Sequence, residues 1–277
     1  MERKQLGGIG IMVPEIGTGV WRYSGGVEPL RRAIELGAFL IDTAEMYGTE
    51  NVVGEAVKSI RERVFIATKV SGDHLRYDDV LRAAEASLHR LDTSYIDLYQ
   101  IHWPNSYVPI QETMRAMEAL VDRGLVRYIG VSNFSTSELR AAQAAMSKYP
   151  IVSDQVLYNL NRREIERDLL PYCLMSQVTI IAYTPLDDGR LAKRSQFPSS
   201  RGMQALEIVA NQVQKALAQV HSIGVSHGQM SSLSLSPTTW GASSRIARHP
   251  AGAYLPPKSS FWMRPFIDKW YNSHRAL

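Results

Sequence analysis

The chain is poor in cysteine and in long apolar runs, and neither sign of charge dominates it. With one cysteine, Cys173, among 277 residues, no internal disulfide framework can form, which is typical of a reducing compartment. No apolar run approaches the roughly 20 residues of a membrane-spanning helix, and residues 1–5 lack the apolar core of a signal peptide. These absences predict a cytoplasmic protein that does not associate with membranes.

The charged residues are nearly balanced. There are 31 Lys and Arg against 27 Asp and Glu, which gives a net charge of +4 and a pI near 9.1. The basic residues form no long run, so the charge indicates a solvated surface rather than a nucleic-acid site. A hydrophobic content of 45% is enough for a sizeable core. Cys173 has apolar neighbours and is interpreted as a core residue rather than a nucleophile, and no metal site is predicted.

Short β-branched or aromatic runs recur along the chain, with amphipathic segments between them. Their starts fall about 25 to 30 residues apart, which is the length of one strand plus one crossover helix. The seven predicted barrel strands are 16–20, 39–42, 64–68, 96–100, 127–131, 152–156 and 179–183. Between two of them, Leu81, Ala84 and Leu88 would share one face of a helix, with charged residues opposite.

This rhythm favours an α/β fold of the (β/α)8 TIM-barrel type over an open sheet. A dinucleotide-binding open sheet would carry a G-x-G-x-x-G turn directly after its first strand, and residues 17–21 have too few glycines for that turn. Residues 5–14 predict a β-hairpin in front of the barrel, and Gly37 and Gly124 are placed to cap helices just before a strand. In such barrels the reacting groups lie at the carboxyl ends of the strands.

Four polar residues stand at or just past the ends of these runs: Asp42, Tyr47, Lys69 and His102. Taken singly, each has an ordinary explanation. Asp42 could cap a helix, Lys69 could be a solvated strand end, and His102 could be a loop histidine. Taken together, a carboxylate, a phenol, an amine and an imidazole at the ends of neighbouring strands are suited to proton transfer. The set therefore predicts a catalytic site.

The sequence around these positions resembles the aldo-keto reductase family over roughly residues 1–220. Seven matching stretches occur in the family's order: Gly-Thr-Gly-Val-Trp at 17–21, Asp-Thr-Ala-Glu-Met-Tyr-Gly at 42–48, Ala-Thr-Lys at 67–69, Ile-Asp-Leu-Tyr-Gln-Ile-His at 96–102, Gly-Val-Ser-Asn-Phe at 130–134, Gln-Val-Leu-Tyr-Asn at 155–159 and Ala-Tyr-Thr-Pro-Leu at 182–186. The resemblance implies an oxidoreductase that reduces an aldehyde or ketone to an alcohol with NADPH.

Carbonyl reduction needs a hydride, which the nicotinamide cofactor supplies, and a proton for the developing alkoxide. Tyr47 is assigned as the general acid, and Lys69 as the cation that lowers the pKa of that phenol. Asp42 is expected to hold the ammonium of Lys69 in place, and His102 to position the substrate carbonyl by donating a hydrogen bond. The family resemblance implies the same four roles.

The resemblance also implies the contacts of the cofactor, NADP(H), with NAD left open. Ser132, Asn133 and Gln155 would hydrogen-bond the nicotinamide carboxamide, and an aromatic ring would stack on the nicotinamide. The full predicted set is Val20, Trp21, Asp42, Ser132, Asn133, Gln155, Tyr183, Thr184 and Leu186, with Tyr183 as the stacking ring and the last two along the pyrophosphate. The predicted substrate pocket consists of Trp21, Tyr47, His102 and Trp103, which suggests a small carbonyl compound with an apolar or flat portion.

Two other functions are compatible with the sequence. The same family includes the potassium-channel β subunits, so a cofactor-binding regulatory subunit with little turnover is one alternative. The other is an inactive chain that has been altered at its C-terminal end. Neither the identity of the substrate nor the oligomeric state follows from the sequence.

The resemblance stops near residue 220, which predicts a barrel of seven strand-helix units at 1–220 and an atypical tail at 221–277. No convincing eighth strand or eighth helix follows, so that unit is expected to be missing or atypical. The family's cationic loop for the adenosine 2′-phosphate is not recognisable either. One explanation is a divergent tail, in which the aromatic residues at 262–271 could form an amphipathic helix.

The other explanation is a frameshift in the gene. Back-translation of residues 220–224, read one base earlier, permits Ala-Leu-Asn-Trp, which is how the family's helix commonly continues. The same shift across residues 229–235 permits Asn-Val-Ile-Pro-Ile-Pro, which resembles the missing eighth strand. We expect the nucleotide sequence across codon 220 to show an adjacent frame that stays open. Early stop codons in that frame would contradict the frameshift.

Overall fold

The computed structural model describes residues 1–192 and 232–235. Its strands are β1 (Arg3–Leu6), β2 (Ile11–Pro14), β3 (Ile16–Gly19), β4 (Leu40–Asp42), β5 (Phe65–Val70), β6 (Ile96–Ile101), β7 (Val126–Ser132), β8 (Ile151–Leu157), β9 (Thr179–Tyr183) and β10 (Ser232–Leu235). β1 and β2 form an antiparallel hairpin. β3 to β9 pair in parallel, in chain order, around a barrel that β10 closes.

Helices cross from strand to strand on the outside of this sheet. The α-helices of the described residues are α1 (Glu28–Glu35), α2 (Glu50–Val57), α3 (Tyr77–Leu91), α4 (Ile110–Asp122), α5 (Thr136–Ala145) and α6 (Leu169–Ser176). Short 3-10 helices lie at Glu45–Tyr47, Arg61–Arg63, Glu164–Arg167 and Arg190–Ala192. No helix in this part of the chain is long and apolar enough to cross a membrane.

The predicted α/β barrel and its seven strands are confirmed, and the predicted ends differ from the observed ones by at most two residues. Gly37 and Gly124 follow α1 and α4 with φ angles of 97° and 71°, a left-handed conformation that glycine adopts without a steric cost. In α3, Leu81, Ala84 and Leu88 are buried as the periodicity predicts. Cys173 is buried in α6, as expected of a core residue.

The sequence predicted an eighth unit that is missing or atypical, and the structure shows an atypical one. β10 fills the eighth position and pairs antiparallel with both neighbours, Ser232 opposite Tyr183 of β9 and opposite Gly17 of β3. β10 therefore runs from the carboxyl end of the parallel strands towards the base of the barrel, which makes the eighth unit atypical.

The remaining predictions for the tail lie outside the described residues. These are the boundary at residue 220 and the amphipathic helix at 262–271.

The hairpin closes the base of the barrel. Its apolar side chains Leu6 and Val13 pack into a buried cluster with residues from the amino-terminal halves of the strands, namely Leu40, Ala67, Leu98, Val152 and Ile181. A larger core lies between the sheet and the helices. This two-layer packing is what a sheet closed on itself and covered by helices requires, and it leaves the opposite end of the barrel for the polar residues.

One buried acidic residue of the sheet lies near Cys173 of α6. Asp154 of β8 is fully buried near Cys173, and burial raises the pKa of its carboxyl well above the usual 3.8, against a smaller lowering by the backbone N–H of Phe134. A carboxyl whose pKa is higher in the folded state than in the unfolded state makes its full contribution to stability when the pH is below the unfolded-state pKa. That contribution is lost as the pH rises towards the folded value.

Asp154→Asn should therefore raise the thermal unfolding temperature at pH 8, where the wild-type protein carries the cost of holding this carboxyl protonated or of burying its charge. At pH 4 the substitution should change the unfolding temperature much less. Thermal unfolding followed by circular dichroism at the two pH values measures the difference. An equal change at both values would contradict the assignment of a raised pKa.

Candidate active site

The four polar residues singled out in the sequence come together at the carboxyl ends of three adjacent parallel strands. Asp42 ends β4, Lys69 is the penultimate residue of β5, and His102 directly follows β6. The strand register places Asp42 opposite Ala67 and Lys69 opposite Gln100. Because parallel strands end on the same rim, the three side chains reach one location.

A buried ion pair forms the floor of the site. Lys69 Nζ donates to both carboxylate oxygens of Asp42, at 2.9 and 2.8 Å, and to the carbonyl oxygen of Thr43 at 2.8 Å. The side chain of Lys69 is 0% exposed and that of Asp42 is 6% exposed. Burial lowers the pKa of the lysine, and the carboxylate of Asp42 opposes that lowering. Gln155 Nε2 donates to Asp42 Oδ1 at 2.7 Å, so the carboxylate has a second donor.

Tyr47 reaches this floor from the 3-10 helix Glu45–Tyr47, which follows β4 after an extended Ala44 and ends at Gly48 with a φ of 67°. The phenol oxygen lies 3.4 Å from His102 Nε2, and Lys69 Nζ lies 5.0 Å from the centroid of the Tyr47 ring. Burial, followed by the charge of Asp42, raises the pKa of Tyr47. The expected lowering of this pKa by Lys69 is not seen, since burial is the largest cause of the shift and the charge of Asp42 adds to it.

His102 is held by backbone contacts on both sides. Its N–H donates to the carbonyl of Val70 at 2.9 Å, and its carbonyl accepts from Asn133 Nδ2 at 2.9 Å. Burial, assisted by the positive charge of Lys69, lowers the pKa of the imidazole to about 3. The ring is therefore neutral at physiological pH, and a neutral imidazole with its proton on Nε2 can donate a hydrogen bond to a carbonyl.

The side chains predicted for the nicotinamide form a connected group beside the ion pair. Asn133 adopts a φ of 61°, and its Nδ2 also donates to Ser132 Oγ at 3.0 Å. Ser132 Oγ donates to the carbonyl of Gln155 at 2.7 Å, and the phenol of Tyr183 donates to Asn133 Oδ1 at 2.9 Å. The three residues and Tyr183 are thus brought together, on the ends of β7, β8 and β9.

The other predicted residues border this group without joining the hydrogen-bonded centre through their side chains. Val20 is buried and its N–H donates to the carbonyl of Asp42 at 3.0 Å. Trp21 is 43% exposed, and the Trp103 ring lies 4.4 Å from that of His102. Thr184 has a φ of 53°, and Leu186 is buried with its carbonyl accepting from Leu191 at 3.1 Å. Their contacts with a cofactor stay predictions.

A family model described as the aldo/keto reductase family matches residues 8–236. The chain belongs to this family. It is 42% identical over 193 residues to methylglyoxal reductase YeaE of Escherichia coli, covering 65% of this chain and 67% of that protein. It is 38% identical over 214 residues to aldo-keto reductase YhdN of Bacillus subtilis, covering 69% of this chain and 64% of that protein.

A solved aldo-keto reductase from Klebsiella pneumoniae, in complex with NADPH, shares the fold of this family member. The TM-score is 0.66 at 39% identity, with 73% of this chain and 74% of that chain covered. The chain spans about two thirds of the length of the curated relatives it matches. These comparisons establish the family and the fold. The activity of the whole protein is proposed below.

Sequence reasoning missed several residues that support the site of this aldo-keto reductase. Thr43 accepts a hydrogen bond from Lys69 through its backbone, which no side-chain pattern could reveal. Beneath the ion pair, the buried Glu50 accepts from Thr68 Oγ1 at 2.6 Å and from Arg90 Nε at 2.7 Å. The signal for Glu50 was its position at the start of an apolar helix, which also fits an ordinary helix-start acid.

Removing one partner of the ion pair should destabilise the fold. Lys69→Met leaves the carboxylate of Asp42 buried without its cation, which costs about 3 to 5 kcal/mol of unfolding free energy. The double substitution Asp42→Asn with Lys69→Met removes both charges and should recover a large part of that loss. Urea unfolding of the two variants and of the wild-type protein measures the free energies. A double variant no more stable than Lys69→Met would contradict the charge-burial explanation.

Proposed function

We propose that this chain reduces a small aldehyde or ketone to an alcohol with NADPH, and that Tyr47 is the general acid. The observation that carries the proposal is the approach of the Tyr47 phenol to His102 Nε2, at 3.4 Å, directly above the buried pair of Lys69 and Asp42. A carbonyl oxygen placed between the phenol and the imidazole would have two hydrogen-bond donors. Such donors stabilise the charge that develops on that oxygen.

The side chains present fit a nicotinamide cofactor. Ser132, Asn133 and Gln155 offer a hydroxyl and two amides, the chemistry that complements a carboxamide, and Tyr183 adds an aromatic ring at the adjacent strand end. When bound, NADPH supplies the hydride. These four residues would hold the nicotinamide, and their mutual hydrogen bonds fix their orientation before binding. The solved Klebsiella relative in complex with NADPH supports the choice of NADP(H).

The four central side chains have separate tasks in this proposal. Tyr47 is protonated at neutral pH, since an ordinary phenol has a pKa of about 10 and burial raises the pKa further. It therefore holds the proton that the alkoxide requires. Lys69 places a positive charge 5.0 Å from the phenol ring, where it stabilises the phenolate left after donation. Asp42 fixes the position of that charge, and the neutral His102 orients the carbonyl.

The substrate class is a small carbonyl compound with an apolar or flat portion. Trp21 is partly exposed after β3, and Trp103 lies against the His102 ring, so both are available as pocket walls. Two relatives are named methylglyoxal reductase and glyoxal reductase, which supports small carbonyl substrates. We place the reaction in the cytoplasm on the basis of the single cysteine.

Tyr47→Phe tests the general acid. The variant keeps the ring and loses the proton, so NADPH oxidation at 340 nm with a generic aldehyde should fall by about 100-fold or more. NADPH binding, measured by quenching of tryptophan fluorescence, should stay within twofold of wild type.

The matched control is Tyr107→Phe, which removes the phenol oxygen from a side chain that is 90% exposed and should leave turnover unchanged. A Tyr47→Phe variant as fast as the parent would overturn the assignment. Tight NADPH binding without turnover in the wild type would instead indicate a regulatory subunit. A wild type that does not bind NADPH would indicate an inactive chain.

A further inference from the structure

Glu45 lies in the same 3-10 turn as Tyr47, and its carboxylate reaches across to a different strand end. Glu45 Oε1 accepts hydrogen bonds from the backbone N–H of Ser71 and, at 3.0 Å, from His74 Nδ1. The Glu45 side chain is only 10% exposed, whereas that of His74 is 54% exposed. The contact with Ser71 is therefore more shielded from solvent than the contact with His74. Hydrogen bonds from a backbone N–H to a carboxylate are among the stronger ones in proteins.

The segment 71–75 that Glu45 contacts continues directly from β5, the strand that carries Lys69. The segment is held from other directions as well. Asn105 Nδ2 donates to the carbonyl of Gly72 at 2.7 Å, and Thr113 Oγ1 donates to the carbonyl of Leu75 at 2.7 Å. Segment 71–75 is therefore anchored on β5, on the loop after β6 and on α4.

The Trp103 ring packs against Gly72 of this segment, at a position that only glycine allows. A Cβ on Gly72 would lie 2.1 Å from Trp103 Nε1. Trp103 and Asn105 both follow His102, so segment 71–75 contacts the loop that begins at His102. Lys69 is thus linked to segment 71–75 by direct continuity of the chain, and His102 through the side chains of Trp103 and Asn105 that follow it.

We propose that Glu45 is a positioning residue that fixes the Tyr47 turn to segment 71–75, and so sets the place of the phenol relative to Lys69 and His102. Within the turn, Tyr47 N–H donates to the carbonyl of Ala44 at 3.0 Å, and Gly48 closes it in a left-handed conformation. The hydroxyls of Thr43 and Thr49, on either side of the turn, lie 3.0 Å apart. Glu45 supplies the cross-strand contact that a turn of three residues cannot make within itself. This inference rests on the proposed function, because positioning has a catalytic meaning only if Tyr47 is the acid.

Glu45→Ala should lower kcat by roughly 10- to 100-fold, since a shift of about 1 Å in a reacting group has effects of that size. The Kd for NADPH should stay within twofold, because Glu45 is not among the residues assigned to the cofactor. Glu45→Gln keeps an oxygen that can accept from Ser71 and should recover part of kcat. His74→Ala removes only the exposed contact and should change kcat by less than threefold.

The matched control is Glu35→Ala, which removes an exposed carboxylate that pairs with Arg32 on α1. Glu35→Ala should match wild type in every measurement. A kcat for Glu45→Ala within twofold of wild type would overturn the proposal. A loss of kcat, of NADPH binding and of unfolding temperature in parallel would also overturn it, because that pattern indicates a general role in folding.

Amide hydrogen exchange gives a readout that does not depend on turnover. Glu45→Ala should increase deuterium uptake in the peptides that contain 44–48 and 71–75, while Glu35→Ala leaves both unchanged. Unchanged uptake in both peptides of Glu45→Ala would contradict the tether itself. If the wild type turns over no aldehyde, the proposed function fails on that ground, and the exchange result still decides whether Glu45 joins the two segments.

Discussion

The buried pair of Lys69 and Asp42 is the interaction on which the rest of the site depends. Transfer of an ammonium and a carboxylate out of water costs several kcal/mol per ion, so the pair persists only where further hydrogen bonds satisfy both groups. Here Thr43 accepts from the lysine, and Gln155 donates to the carboxylate. The strands that provide these contacts must therefore keep their register, and the rim of the barrel is organised around that requirement.

From Gln155 the hydrogen bonds continue around the rim. Ser132 donates to the Gln155 carbonyl, Asn133 donates to Ser132 and to the carbonyl of His102, and Tyr183 donates to Asn133. This chain joins the ends of β4, β6, β7, β8 and β9 into one network. The Asp42 carboxylate and the His102 carbonyl thus share hydrogen-bond partners with the residues assigned to the nicotinamide, and a substitution of Gln155 or Asn133 will disturb both groups.

Much of this arrangement could be predicted from the sequence, because a parallel barrel converts the order of strands into a position on the rim. The strand ends predicted from the sequence bring Asp42, Lys69 and His102 to the same part of the rim. The raised pKa of Tyr47 could not be predicted, since burial and the proximity of Asp42 depend on the folded chain. The bond from Gln155 to Asp42 joins residues 113 positions apart, and the antiparallel direction of β10 depends on its pairing partners.

The hairpin at the base has a consequence for the route of protons. Leu6 and Val13, packed against Leu40 and Leu98, close the barrel with a layer of side chains that carry neither acids nor bases. Among the residues that the structure describes, this apolar layer separates the base of the barrel from the polar rim that holds Tyr47. In the proposed function, each proton that the phenol gives up is therefore replaced from the rim, on the side where the carbonyl substrate would bind. Reprotonation of the proposed acid and exchange of the reactants would then take place at the same end of the barrel.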